Sequence, residues 1–329
     1  MTYRAFVVDN QDGNFTAGVR DLDEANLPAG EVTIRVEWSS VNYKDGLAST
    51  PSGRVIRSYP MVPGVDLAGV VTDSSDSRFV AGDSVVVIGN DVGVAHPGGF
   101  AELARVPADW ALKLPSGLTT KEAMALGTAG FTAAMSVDAL ERHRVRPESG
   151  PVLVTGATGG VGSTAVSMLA GLGYTVAGST GKASEAQFLH DLGASEILSR
   201  EDVSAESERP LEAERWAGAI DPVGGATTAY LLRTMKRDGC VALSGLTGGS
   251  KVSTTVMPFI LRGVNLLGIE SVWCSREVRE RIWQRCATDL KPKGLLESIA
   301  FETDLDGLPA VLADILQGKV RGRALVRPH

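Results

Sequence analysis

Apolar and polar residues alternate in short runs along the first third of the chain, with glycine, proline and aspartate between the runs. Thr2–Asp9, Glu31–Trp38, Leu67–Thr72 and Ser84–Gly89 each have the length and patterning of a strand. Gly82-Asp83 reads as a turn feeding the last of them. Strands this short and closely spaced predict a small, barrel-like β domain.

The pattern changes near Thr119. Lys121–Ala139 carries apolar residues at helical spacing, with Thr119 or Thr120 as its cap. From Pro151 onward strands alternate with helices. Strands are expected at Val152–Thr155, Thr175–Gly178, Glu196–Leu198, Trp216–Ile220, Gly239–Ser244 and Leu266–Ile269. Helices are expected at Ser163–Leu172, Ser184–Leu192 and Thr227–Met235. That alternation predicts an α/β domain with a doubly wound parallel sheet covered on both faces. A charged helix at Glu277–Leu290, the segment Ser298–Phe301, a helix near Leu308–Leu316 and a strand at Arg323–Val326 close the chain. This mixed tail is expected to rejoin the first domain. The resulting division is a β-rich domain over 1–124 and 275–329, and a nucleotide-binding domain over 125–274. The Glu- and Ser-rich stretch Arg200–Arg215 reads as an exposed loop.

Composition narrows the class. The 329 residues include 38 glycines, well above the usual share of about 7%, which suits tight turns and close approach of backbone to a ligand. The net charge is −7 with both signs interspersed, so there is no basic stripe of the kind a nucleic-acid binder presents. Met1–Gly13 lacks the pattern of a signal peptide, and Ala165–Gly178 is too short to span a membrane. A soluble cytoplasmic protein is expected. Cys240, Cys274 and Cys286 are widely spaced, which argues against a disulfide framework or a structural zinc site.

The strongest local signal is Val152 to Ser163, VLVTGATGGVGS. A strand leads into a glycine-rich turn and then a helix with small residues at its start. Glycines let the backbone turn sharply and let a pyrophosphate approach, and the helix amino terminus offers free N–H groups. The spacing is Gly156-x-x-Gly159-x-x-Gly162 with an extra Gly160. An NAD site usually places an acid about 20 residues further on. Here the next strand runs into Ser179-Thr180-Gly181-Lys182 with no acid, and a hydroxyl pair with a lysine suits a 2′-phosphate. Arg200 is a second candidate cation. Asp221–Gly225, Ser244–Thr247 and Glu270–Val272 end later strands and either line the cofactor cleft or serve only as turns.

In the first domain a polar cluster, Asn42-Tyr43-Lys44-Asp45, follows a predicted strand. Tyr43 suits a hydrogen-bond or proton donor, with Lys44 beside it to lower its pKa or steady an anion. Asn42 to Asp45 also fit a capped helix start. His96, His143, His190 and His329 share no metal-ligand spacing, no cysteine lies in the first domain, and there is no Gly-x-Ser-x-Gly elbow. Metal-dependent or serine hydrolysis is disfavoured, and no metal is expected.

Val41–Asp45, Pro63–Gly69, Gly127–Ala133 and Thr155–Gly162 together resemble the medium-chain dehydrogenase/reductase superfamily over essentially the whole chain. Val65-Asp66 stands where the zinc alcohol dehydrogenases have His-Glu, which points to the zinc-free quinone and enoyl reductase branch. Trp38–Asp45, Trp216–Asp221 and Thr254–Arg262 are similar to the NADPH-dependent acrylyl-CoA reductase group within it. Gly224-Gly225-Ala226 departs from the more polar sequence expected after the family's aspartate. The resemblance implies a GroES-like catalytic domain, a Rossmann domain and a homodimer. It further implies that Tyr43 contacts the nicotinamide side, with Asn42 and Lys44 as neighbouring catalytic candidates. Gly159, Gly160 and Val161 would meet the pyrophosphate beside Thr158. Thr180, Gly181, Lys182 and Arg200 would meet the 2′-phosphate end beside Ser179, and Leu246, Leu261 and Val272 would line the nicotinamide pocket.

The implied reaction is hydride transfer from NADPH to the β-carbon of a short 2-enoyl-CoA such as acrylyl-CoA, with a proton reaching the α-carbon from water or from Tyr43. The same residues would serve a quinone or enone reductase. A third alternative is an NADPH-binding protein without turnover. Lys44, Arg54, Arg57 and Arg262 are the candidate CoA contacts.

Overall fold

A computed structural model describes all residues 1–329. The chain divides into two compact units. One is Met1–Thr128 with Val272–Ala287 and Leu295–His329, and the other is Ala129–Ser271 with Thr288–Gly294. The expected boundaries differ slightly. Residues 125–128 and 272–274 lie with the first unit, and Thr288–Gly294 with the second.

The chain opens with a hairpin of β1 (Thr2–Gln11) and β2 (Asn14–Asp23). Asp12 and Gly13 take positive φ at its turn, as such hairpins require. There follow β3 (Val32–Ser40), α1 (Tyr43–Ala48), β4 (Asp66–Ser74), β5 (Ser84–Ile88), β6 (Leu103–Val106) and β7 (Leu112–Lys113). Helix α2 (Thr120–Arg142) is broken at Gly127, whose φ of 52° and ψ of −158° are not helical. It is long and apolar enough to cross a membrane, but 83% of its most apolar window is buried inside the protein, so it is a core helix.

The second unit contains β8 (Val152–Val154), α3 (Gly160–Gly171), β9 (Val176–Thr180), α4 (Ala186–Asp191), β10 (Glu196–Ser199), β11 (Trp216–Asp221), α5 (Gly225–Thr234), β12 (Met235–Leu243), α6 (Met257–Arg262) and β13 (Asn265–Gly268). Its six strands are parallel in the order β10-β9-β8-β11-β12-β13. Leu153, Ala177, Ala219 and Val241 carry its core across successive strands, packed with Trp216 and Leu231. The strand order reverses between β8 and β11, and ligands of such sheets sit beyond the carboxyl ends at that point. The glycine turn follows β8.

The chain then returns to the first unit with α7 (Arg276–Cys286), β14 (Ala300–Asp304), α8 (Leu308–Leu316) and β15 (Arg323–Arg327). Strand β15 pairs antiparallel with β3, Leu325 opposite Ser40, and closes a seven-stranded sheet. Strands β2, β6 and β7 and helix α6 are absent from the sequence reading. Strand β2 alternates weakly because most of its residues are exposed or half-exposed. Helix α7 ends at Cys286, short of the expected Leu290.

Candidate functional site

In the second unit, the glycines of the turn are required sterically. A Cβ at Gly162 would collide with the Gly156 carbonyl and the Ala157 backbone, and Gly156 has a φ of 53°. With Gly159 as the N-cap, the first turn of α3 leaves the amides of Gly160, Val161 and Gly162 without intrahelical partners. No acid occupies that turn. These are the features that favour an anion.

Asp221, at the carboxyl end of β11, fixes the turn from below. It is fully buried and accepts from Thr155 Oγ1 (2.6 Å), Thr228 Oγ1 (2.5 Å), Val223 N (2.9 Å) and Gly224 N (3.2 Å). One carboxylate thus ties the end of β8 to the start of α5. The sequence leaves Asp221 open between a cleft-lining residue and a plain turn, and the distant Thr155 gives no local signal of this role.

At the end of β9 the hydroxyls are spent within the chain. Ser179, 2% exposed, donates to the Ser199 carbonyl (3.3 Å). Thr180 Oγ1 lies 3.0 Å from Thr158 Oγ1 and accepts from Lys182 N (3.0 Å). The expected hydroxyl pair therefore shapes the loop rather than lying open on it, because these residues still belong to a strand covered on both faces. The cations remain. Arg200 is exposed and leans on Gly181, where a Cβ would fall 2.5 Å from its Nη2. Its carbonyl accepts from Ser204, while its guanidinium has no protein partner. Lys182 stands one residue beyond Gly181. A phosphate monoester would satisfy the Arg200 guanidinium.

In the first unit, Tyr43 and Lys44 open α1, and both are exposed, Tyr43 by 45%. Neither the Tyr43 hydroxyl nor the Lys44 ammonium has a partner within the chain. The segment is also a capped helix start. Asp45 accepts from Asn42 N (2.8 Å) and from Val65 N (3.0 Å). Burial, reinforced by the nearby Asp66 charge, pushes the Asp45 carboxyl up to about 7. The Asn42 side chain turns away from the helix to Asp66 Oδ2 (2.7 Å).

Leu246 and Leu261 are exposed, in the loop after β12 and on α6 respectively. Val272 belongs to the first unit, and its carbonyl accepts from Asn90 N (3.0 Å) and Arg279 Nη2 (3.0 Å). Among the CoA candidates, Arg262 is a correction. Its guanidinium donates to the carbonyls of Arg233 and Met235, both at 3.0 Å, and of Glu212, so it braces the second unit. Arg57 is paired with Asp91 at 3.2 Å, which leaves Lys44 and Arg54. No three His, Cys, Asp or Glu side chains lie close enough together to hold a metal ion, so the residues present do not fit a zinc centre.

A doubly wound sheet whose switch point carries a phosphate-binding turn, joined in one chain to a β-rich unit, defines a nucleotide-dependent dehydrogenase or reductase. The alcohol dehydrogenase GroES-like domain model matches residues 28–116, and the zinc-binding dehydrogenase model matches 160–288. The acrylyl-CoA reductase AcuI of Ruegeria pomeroyi is 51% identical over 326 residues, 98% of each chain. The Salmonella enterica YhdH oxidoreductase, solved in complex with NADP, superimposes with a TM-score of 0.96 at 49% identity, covering 99% of this chain and 100% of that one. The Bacillus subtilis protein YhfP, solved with NAD bound, gives 0.97 at 48% identity over the whole of both chains. The chain belongs to the medium-chain dehydrogenase/reductase superfamily, in the AcuI-like group, and is an oxidoreductase with the GroES-like and Rossmann fold pair.

Proposed function

We propose that the protein is an NADPH-dependent reductase of short 2-enoyl-CoA thioesters that converts acrylyl-CoA to propanoyl-CoA. The observation that carries the reading is the 51% identity with the Ruegeria acrylyl-CoA reductase across 98% of both chains. The unpartnered Arg200 beside Lys182 supports the choice of NADPH.

The second unit, with the Rossmann domain taken over 125–274, holds the cofactor. Gly159, Gly160 and Val161 bind its pyrophosphate, with Thr158 bracing the turn, and Lys182 and Arg200 bind its 2′-phosphate over Gly181. Ser179 and Thr180 set the shape of that loop. Leu246, Leu261 and Val272 are the apolar contacts for the nicotinamide. Bound NADPH supplies the hydride taken up by the substrate β-carbon. The first unit, with the GroES-like domain taken over 1–124 and 275–329, handles the developing charge. The Tyr43 hydroxyl donates to the thioester oxygen as it becomes an enolate, and Lys44 lowers the cost of negative charge there. Asn42 holds this turn in place. The α-carbon receives its proton from Tyr43 or from water. No metal takes part.

A quinone or enone acceptor is the second reading. The name of YhfP places that relative among the quinone oxidoreductases, and both kinds of acceptor gather charge on a conjugated oxygen. Steady-state turnover with acrylyl-CoA, crotonyl-CoA and quinones, each with NADPH and with NADH, separates the readings. Turnover of acrylyl-CoA with NADPH far above every other pair is expected, and turnover of quinones alone overturns the assignment.

The enzyme works as a soluble cytoplasmic homodimer in this reading. The outer edge of β13 is unpaired, and Val256 and Ile260 around α6 are exposed, so a second copy of the unit can cover them. Its three unbridged cysteines suit a reducing compartment.

A further inference from the structure

Behind α1 the first unit buries a cluster of charges that the roles above do not use. Asp66, at the start of β4, is fully buried. Its Oδ2 accepts from Ser40 Oγ (2.7 Å), Asn42 Nδ2 (2.7 Å) and Thr128 N (2.9 Å), and its Oδ1 from Thr128 Oγ1 (2.5 Å). Arg323, the first residue of β15, completes the cluster from the far end of the chain. Its Nη2 donates to Ser40 Oγ (2.7 Å) and lies 3.4 Å from Asp66 Oδ2. Its Nη1 donates to the Val41 carbonyl (3.1 Å) and to Asn42 Oδ1 (3.2 Å). Its Nε is buried without a partner.

Asn42 is therefore held at every polar atom. Its amide oxygen faces Arg323, its amide nitrogen faces Asp66, its backbone N–H is taken by Asp45, and its carbonyl accepts from Asp45 N (2.9 Å). The next residue is Tyr43, whose hydroxyl nothing in the chain holds. Gly127 is part of the same device. With a φ of 52°, a Cβ there would lie 2.5 Å from Arg323 Nη2, Asp66 Oδ2 and Ser40 Oγ at once.

Apolar residues of matching volume commonly serve stability as well as a buried ion pair does. Two buried carboxylates, one guanidinium and an unpaired Nε are thus a costly way to hold a core together. What they supply is direction. Each partner fixes one atom of one side chain, and that side chain precedes the exposed tyrosine. We propose that Arg323 and Asp66 are positioning residues for the reduction, clamping Asn42 so that the first turn of α1 presents the Tyr43 hydroxyl at one fixed point. This rests on the role given to Tyr43 above.

The test is a kinetic cycle on the full-length enzyme with acrylyl-CoA and NADPH. Asn42→Ala removes the clamped side chain and leaves the ion pair. The charge-neutral pair Arg323→Met with Asp66→Asn removes the clamp itself. Each is expected to lower kcat by about 10-fold or more, the scale of a misplaced acid, while KM for NADPH stays within about twofold. In a Tyr43→Phe background both changes are expected to lower kcat by less than about twofold, because they act through a hydroxyl already gone. Multiplying effects, or unchanged kcat in both variants, overturn the proposal. A fully active Tyr43→Phe enzyme overturns it too, since nothing is left to position. Failure of the substrate reading looks different. Wild-type enzyme would then reduce a quinone instead, and the same cycle is read with that acceptor. If the double variant does not fold, Asn42→Ala decides alone, with its melting temperature as the control.

Discussion

The guanidinium of Arg200 rests against the backbone of Gly181. A Cβ at 181 would fall 2.5 Å from Nη2, 2.8 Å from Cζ and 2.9 Å from Nε. The residue after β9 therefore has to lack a side chain for the residue after β10 to lie against it. Because the obstructing atoms are the far end of a flexible side chain, Gly181→Ala displaces Arg200 at little cost to the fold. The expected result is a rise in KM for NADPH with an unchanged melting temperature. One lost charge-assisted hydrogen bond to phosphate is worth about 1.5–3 kcal/mol, or roughly 10- to 150-fold. Kinetics with NADH as the control should show almost no change, and equal losses with both cofactors would remove Arg200 from the 2′-phosphate site.

Lys182→Ala probes the second cation of that pair. It should also raise KM for NADPH by roughly 10-fold or more while NADH is spared. Combined with Gly181→Ala, the two losses should fall short of multiplying, because both cations serve one phosphate. Fully multiplicative losses would place Lys182 and Arg200 at separate points.

The second unit was the more legible half. Its signals are local: an apolar strand, glycines three apart, and a missing acid at the end of the next strand. Each follows from what a pyrophosphate or a 2′-phosphate requires of the residues beside it. The bonds of Ser179 and Thr180 to Ser199, Thr158 and Lys182 N are not legible in the sequence, which does not say where a covered strand ends. The first unit's clamp was illegible for a different reason. Arg323 and Asp66 are 257 residues apart; Arg323 reads as an ordinary strand residue and Asp66 only as part of a family motif until β15 pairs with β3. Gly127 lies in a helical run and in a segment that carries the family resemblance, and only its φ and the three polar atoms around it show why it is there. Asp45 was readable as a helix cap, yet its burial was not.

That burial has a consequence for stability. An ordinary aspartate ionises near 3.8, whereas Asp45 in the folded protein is pushed up to about 7. Between those values the folded protein keeps a proton that the unfolded chain has released. Unfolding therefore becomes easier as pH rises through that window, and the loss levels off above pH 7. At about 1.4 kcal/mol per pH unit the contribution is at most on the order of 4 kcal/mol. Melting temperatures from pH 5 to 8 should fall with pH in the wild type. Asp45→Asn should melt lower at pH 5, having lost an acceptor for Asn42 N or Val65 N, but its curve should be flatter. Parallel curves for the two proteins would put the titration elsewhere.

Tyr43→Phe removes one hydroxyl and keeps the ring. The hydroxyl has no partner in the chain, and Lys44 beside it has none either. A donor with no internal partner is free to meet an oxygen of the substrate, and the neighbouring ammonium makes negative charge there cheaper. If the hydroxyl acts only as charge develops, kcat and kcat/KM fall together and KM holds steady. The expected fall is about 10²-fold, typical of a lost proton donor or oxyanion partner. Tyr43→Ala should add a loss of NADPH affinity, because the ring goes as well. A fully active Tyr43→Phe enzyme paired with a weak-binding Tyr43→Ala enzyme would reduce the residue to a packing surface and leave water as the source of the proton.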